Sequence, residues 1–437
     1  MDTGILVVLF MTRLLAWALL LFALIPSAWF AVAAWELPQL GAHGEDGAYY
    51  NAALALSEGR GYRATSVPGE PLLTRFPPGL PALLAPFAQS RALLSLLLWM
   101  LAPCALGLLY SWGRQQGLDS TTSALVCLPV GAFPLFVQGS ANVLPDVLAL
   151  ALVLAAVYVV EIDSRPAMLL GALAAAAAYL TSDVLLPGLC AMTVYLVIRR
   201  RYLQAAIYAV ALLSTAFAWR LYVETYAEAT ARTLYGWYTD RPAGLQWANA
   251  ALDVRTVLIG LVIAAVWRLQ ARLQLSALCC YAVGQTVALQ FAGTGSSALT
   301  LVPVLTIAAT TLPLPRVLLG VAYLAGLAAL PGALGEPQRH RAFYPVRNQA
   351  YFWIESNTPP SAQFLAYNSA LLHAATWRHG VSPQDRSDPT SFALEVGLDY
   401  LLATPLDPAA YQKAVRADPF YETVYEHDGV LIRRRRP

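Results

Sequence analysis

Apolar runs of membrane-spanning length recur along this chain and leave it one kind of fold to adopt. A helix crosses a bilayer in about 20 mostly apolar residues. Such runs stand near 10–34, 89–111, 121–139, 144–161, 166–182, 184–198, 203–222, 254–268, 275–292, 297–313 and 317–333. The expectation is an α-helical polytopic membrane protein of about eleven spans. Composition agrees: 58% of the residues are hydrophobic and 12% charged, against about 25% charged in a soluble domain. Proline punctuates several runs (Pro26, Pro103, Pro129, Pro134, Pro187, Pro303), which bilayer helices tolerate where neighbours satisfy the freed carbonyls. Residues 166–198 read either as two short spans meeting at Thr181-Ser182-Asp183 or as one kinked helix. The first run is too long for a signal peptide and is read as a retained span.

Several chemistries lack a signature. A net charge of +2 carries no nucleic-acid footprint. The five cysteines lie inside apolar runs without zinc-ligand spacing. No phosphate-cradling GxxxxGK, dinucleotide GxGxxG, HExxH or GxSxG motif is present.

Arginine placement gives a sidedness. With the N-terminus cytoplasmic, the short turns carrying Arg114, Arg165, Arg199-Arg200-Arg201, Arg268 with Arg272, and Arg316 face the cytoplasm of a plasma (inner) membrane. The long loops at 35–88 and 223–253 then fall outside, as does the tail. From Glu336 that tail turns polar, and two domains are expected: a transmembrane domain over 1–333 and a small extracytoplasmic α/β domain over 334–437. In the tail, Tyr344–Ser356, Ser369–Trp377 and Pro408–Ala417 read as helices, and Gln363–Tyr367 and Asp399–Thr404 as extended. Glu422–Glu426 and Val430–Arg433 form a hairpin across His427-Asp428-Gly429, with the closing arginines ending the strand and fraying.

The polar stretch His43–Pro81 between the first two runs gathers the candidate chemistry. Glu45 and Asp46 open a short helix, where the dipole and free N–H groups favour an anion; a plain cap is the bland alternative. Tyr50 lies four residues on, on the same helical face. Arg75, in Arg75-Phe76-Pro77-Pro78-Gly79, has the planar fork that suits a phosphate, or else it snorkels. Asp146 opens a later run at the same outer face and Asp183 lies at an outer tip; a first-turn acid and a turn residue are the simpler readings. Arg220, at the end of the 203–222 run, and Arg232 and Arg241, in an aromatic-rich loop, are further basic candidates, against an ordinary interfacial belt. No cofactor is required by any motif, although neighbouring carboxylates could hold a divalent metal through oxygen.

The first loop also resembles a known family. One span, an acid before Tyr49-Tyr50, a Gly59-Arg60-Gly61-Tyr62 turn and Arg75-Phe76-Pro77-Pro78-Gly79 follow in the order seen in the dolichyl-phosphate-mannose–protein mannosyltransferase and aminoarabinose-transferase superfamily. These are C-type (GT-C) glycosyltransferases. The likeness covers about 35–200 and extends to 340–437, through Trp353-Ile354-Glu355-Ser356-Asn357-Thr358-Pro359. It implies an inverting transfer of a sugar from a polyprenyl-phosphate donor to a hydroxyl of a glycan, lipid or protein on the non-cytoplasmic face. The first-loop acid would act as general base, a role matching Asp46 from the tyrosines or Glu45 counted back from Gly59. Asp146 falls at a second acidic position and Arg75 where a basic group could face donor phosphate. Relatives carry Leu-Thr-Arg or Leu-Thr-Lys where this chain has Leu180-Thr181-Ser182-Asp183, and Arg-Tyr or His-Tyr where it has Ser297-Ala298-Leu299. Two other readings are a catalytically silent binding or assembly protein, favoured by those departures, and a transporter, disfavoured by the lack of an inverted repeat.

Overall fold

The computed structural model describes residues 3–34, 40, 46–231, isolated positions between 278 and 305, 315–383 and 388–437. The expected spans at 254–268, and most of 275–292 and 297–313, lie outside the described residues.

The first part is helical: α1 (Thr3–Ala34), α2 (Asp46–Ser57), α3 (Gly79–Leu84), α4 (Arg91–Gln115), α5 (Ser120–Gly131), α6 (Pro134–Gly139), α7 (Asp146–Val160), α8 (Arg165–Thr181), α9 (Leu186–Ile198) and α10 (Tyr202–Ala231). Among the described residues three helical stretches are long and apolar enough to cross a membrane: Phe10–Ala33, Arg91–Gln115 and Tyr202–Tyr226. Leu14, Trp17 and Leu21 on α1, and Leu203, Val210 and Phe217 on α10, are exposed at helical spacing, so these helices present an apolar stripe outward. Their other faces enclose a core of alanine, leucine and valine around Trp112, Phe136, Tyr195 and Tyr208.

Proline sets the breaks. The run at 121–139, expected as one span, is two helices. Pro134 holds Phe133 extended at φ −70°, ψ 126°, as a residue before proline prefers, and the chain restarts as α6. The doubtful 166–198 run is likewise two helices, parted where Ser182 is extended at φ −153°, ψ 110°, with Pro187 starting α9. Side-chain caps open others: Ser90, Asp119 and Ser164 accept from Leu93, Thr122 and Ala167. Close approach relies on glycine at Gly131, where a β-carbon would collide with the carbonyl of Ala23, drawing α5 against α1.

A helix of 43 residues, α11 (Pro315–Asn357), carries the chain from the apolar stretch Val317–Pro331 to Tyr351 and Ile354 under the C-terminal sheet. The sequence suggests two helices here; one runs through. Then follow β1 (Gln363–Ala366), α12 (Ser369–Thr376), β2 (His379–Val381), α13 (Pro389–Val396), β3 (Tyr400–Ala403), α14 (Ala409–Ala417), β4 (Tyr421–His427) and β5 (Val430–Arg435). The strand order is β2-β1-β3-β5-β4; β1 runs parallel to β2 and β3, and β5 antiparallel to β3 and β4. The expected strands and hairpin are present, whereas β2 and α13 were not foreseen.

Alternation divides the sheet's faces. Phe364, Tyr400, Leu402, Val430 and Ile432 pack on α11 and α12. Leu365, Leu401, Ala403 and Leu431 pack on Phe392 of α13 and Tyr411 and Val415 of α14. The hairpin turns through Asp428 (φ 45°) and Gly429 (φ 82°), the pair of left-handed residues that a two-residue turn uses. The closing arginines do not fray as expected. Arg433 is buried, and its guanidinium donates to the carbonyls of Val415 and Asp418 at 2.7 Å each and to that of Tyr421. Arg434 pairs with Glu422 at 2.6 Å.

Candidate active site

The helix α2 is built around its first residue. Asp46 lies in the first turn with no solvent exposure, and its Oδ1 accepts the Gly47 N–H at 2.5 Å. Ten consecutive residues from Asp46 to Ala55 are buried, so α2 is enclosed on all sides instead of floating on a membrane surface. Tyr50 stands one turn on; its hydroxyl donates to the Ala88 carbonyl at 3.3 Å, and burial raises its pKa.

Tyr49 brings the Arg75 segment to this helix, its ring lying 4.9 Å from that of Phe76. The Arg75 guanidinium sits 5.6 Å from the Phe76 ring centre, half-buried at the edge of the same cluster. Pro77 and Pro78 then turn the chain into α3. A β-carbon on Gly79 would stand 2.6 Å from the Leu180 carbonyl oxygen and 2.7 Å from Thr181 Oγ1, so α3 lies directly on the end of α8. Asp183 opens the next turn beyond that contact, in a 3-10 segment before α9.

Asp146 begins α7 and is 8% exposed. Val143 and Leu148 on either side of it share one apolar cluster with Tyr49, Tyr50 and Phe76. The structure therefore brings the elements bearing Asp46, Tyr50, Arg75 and Asp146 together, and places Asp183 in the turn just past the α3–α8 contact. Glu45, Arg232 and Arg241 lie outside the described residues, as does His43. Arg220 is exposed and pairs with Glu224 at 2.8 Å.

The intervening turn is held by its own charges. Gly59, Gly61 and Gly69 take left-handed φ of 71°, 84° and 81°. Arg60 pairs with Glu58 at 2.6 Å and Glu70 at 3.0 Å. Arg63 donates to the Glu70 carbonyl at 2.9 Å, and the Tyr62 hydroxyl to that of Phe76 at 2.8 Å. These arginines are structural.

Sequence reasoning missed four polar groups here, of which Asn51, Asn142 and His373 are buried and His379 half-buried. Asn51 is 1% exposed and donates to the Ala370 carbonyl at 2.9 Å. Asn142 has no exposure and neither amide atom bonded among the described residues. His373 and His379 stack 5.5 Å apart where the sheet meets the loop. Only Asn51 carried a signal, being one helical turn from Gly47. Among the described residues no group of three His, Cys, Asp or Glu side chains gathers closely enough to hold a metal.

Fold and site together define a helical membrane architecture closed by a small mixed sheet, with buried acids at helix starts. That architecture is the fold of ArnT. The chain is similar to ArnT from Cupriavidus metallidurans bound to undecaprenyl phosphate, with a TM-score of 0.58, 12% identity, and 99% of this chain and 98% of that one covered. For the apo state of the same protein the TM-score is 0.55 at 13% identity, over 89% and 92% of the two chains. No family model matches the chain, and no curated protein does.

Proposed function

We propose that the chain is an inverting glycosyltransferase of the C type. It moves a sugar from a polyprenyl phosphate to an acceptor hydroxyl on the non-cytoplasmic face of the inner membrane. The observation that carries this reading is Asp46, a fully buried carboxylate at a helix start whose helix packs against the Arg75-Phe76 segment and the start of α7. A hydroxyl is a poor nucleophile until a positioned base takes its proton. Asp46 accepts that proton as the hydroxyl oxygen attacks the sugar's anomeric carbon. The carbon–oxygen bond to phosphate breaks, and the lipid phosphate leaves with both electrons. Arg75 meets the charge developing there, where a fixed donor acts most strongly away from water. Asp146, with Tyr50, lines the sugar side, and Asp183, in the turn after α8, is a further substrate contact; Glu45, Arg232 and Arg241 stay candidates on their sequence positions alone.

The ArnT neighbour binds undecaprenyl phosphate, which supports a polyprenyl-phosphate donor here. In this reading about eleven spans form residues 1–333, the N-terminus is cytoplasmic, and residues 334–437 form the outer domain with the first loop. The acceptor is a glycan, lipid or protein hydroxyl. The full-length protein in nanodiscs, given undecaprenyl-phosphate-linked aminoarabinose, mannose or glucose and a membrane extract as acceptor, should release undecaprenyl phosphate. Asp46→Asn should abolish release at native expression. Full release from both Asp46→Asn and Glu45→Gln would sink the base assignment.

A further inference from the structure

The C-terminal sheet grips the first loop at two separate places. At one, a β-carbon on Gly47 would lie 2.8 Å from the Ala370 β-carbon, 3.2 Å from its carbonyl carbon and 3.3 Å from the Leu371 nitrogen. One turn along the same face, Asn51 Nδ2 donates to the Ala370 carbonyl at 2.9 Å. Ala370 is itself fixed, because it lies in the first turn of α12, which Asn368 caps by accepting the Leu371 N–H at 3.1 Å. At the other place, the Gly380 N–H of β2 donates to the Ser66 carbonyl at 2.8 Å, and His379 Nδ1 meets the Thr65 carbonyl at 3.1 Å. Ala374 of α12 packs on the cluster that holds Tyr49 and Tyr50. The helix bearing Asp46 is thus seated by backbone and small-residue contacts that admit no methyl group.

The geometry points to Gly47 and Asn51 as positioning residues, through which α12 holds α2 so that Asp46 keeps its place on a helix packed against the Phe76 segment and the start of α7. The C-terminal sheet is then a working part of the site, and its loop contacts at Thr65 and Ser66 fix the other end of the same loop. The inference rests on the reading of Asp46 as the base. Gly47 adjoins Asp46 in the chain, so a methyl that forces α2 away from Ala370 moves the carboxylate with it. A misplacement of about 1 Å lowers turnover about 100-fold.

The test uses the full-length protein in nanodiscs and reads undecaprenyl phosphate released from the same panel of lipid-linked sugars. Gly47→Ala should lower kcat about tenfold with the donor KM within about twofold, since the lesion lies in placing the base and not in binding. Adding Ala370→Gly removes the opposing methyl and should restore most of kcat. Asn51→Ser shortens the side chain so that its hydroxyl falls short of the Ala370 carbonyl, adds no bulk, and should lower kcat about fivefold, with faster hydrogen exchange across 46–57. Native kcat in both Gly47→Ala and Asn51→Ser would overturn the inference, as would a double variant no faster than Gly47→Ala. Should Gly47→Ala fail to accumulate, Asn51→Ser decides alone. Asp46→Asn run in parallel separates the two claims. Activity surviving in it removes the base reading, whereas a dead Asp46→Asn beside native Gly47→Ala and Asn51→Ser removes only the positioning.

Discussion

Two titratable groups in the C-terminal domain, buried His373 of α12 and half-buried Asp407 before α14, oppose each other, which makes its acid response a sharp test of the packing. His373 is 4% exposed; its Nδ1–H donates to the Arg378 carbonyl at 3.2 Å, and Nε2 has no partner among the described residues. Protonation would place a second N–H in that apolar surrounding, so burial holds the pKa down at about 4, from 6.5. His379 and Arg60 add repulsion. Between about pH 4 and 6.5 the unfolded chain therefore binds more protons at this site, and stability falls as acid is added. Across the full interval that amounts to about 3 kcal/mol at 1.36 kcal/mol per unit. Asp407 has the reverse sign. Burial raises its carboxyl to about 7 even though it accepts the Thr404 N–H at 2.7 Å. From about pH 4 to 7 the folded chain holds the extra proton there, so stability rises with acid. The ceiling is about 4 kcal/mol, and the partial exposure of Asp407 reduces it. The native unit should show a nearly flat profile between pH 7 and 4.5. Opening free energies from hydrogen exchange over 363–435, corrected for intrinsic rates, would show it. His373→Gln should gain about 2–3 kcal/mol at pH 4.5 relative to native once both are matched at pH 7, and Asp407→Asn should lose stability over the same range. Profiles that shift in the same direction, or not at all, would refute the reasoning.

Other consequences are simpler to state. Arg433→Met leaves the Val415, Asp418 and Tyr421 carbonyls without their shared donor and should destabilise the sheet by about 2–4 kcal/mol in chemical denaturation. An unchanged midpoint would show that the arginine frays after all. Gly79→Val would drive its side chain into the Leu180 carbonyl and Thr181, lower the thermal midpoint of the whole protein and reduce its yield in detergent, because a β-carbon there already stands 2.6 Å from backbone that cannot move aside like a side chain. A native midpoint would mean that this contact is loose.

Much of the fold was legible from the lengths of its apolar runs and from its turns. The inner C-terminal strands are short apolar runs, buried on both faces at Phe364, Leu365, Leu401 and Ile432, and the hairpin carries its turn in Asp428-Gly429. β2 escaped because His379-Gly380-Val381 has one aliphatic residue and takes its pairing from β1 and the Ser66 carbonyl. No local pattern announces a partner 314 residues away, and the His379–Thr65 bond spans that distance. α11 was split in the sequence reading because polarity changes near Glu336. A polarity change marks where solvent begins, not where hydrogen bonding ends, and the helix continues through it.

The acids show why the site was harder to read than the fold. Asp119 and Asp388 stand at helix starts and act as ordinary caps, accepting from Thr122 and Ser391 at 3.0 and 3.1 Å on exposed surfaces. Asp46 and Asp146 also begin helices, so composition and spacing make all four equivalent. Burial separates them. An exposed cap gains from the helix dipole and loses little solvation, which suffices to explain its presence. A carboxylate with no exposure, as at Asp46, is paid for elsewhere in the structure. The contacts that enclose its helix come from Phe76 and Val143, clustered with Tyr49 and Tyr50, and from Ala370 against Gly47, in segments far apart in sequence. The buried acid is therefore distinguished from the exposed cap by its neighbours in space. Two close approaches need glycine: Gly47 lets α12 close on α2, and Gly79 lets α3 close on the end of α8.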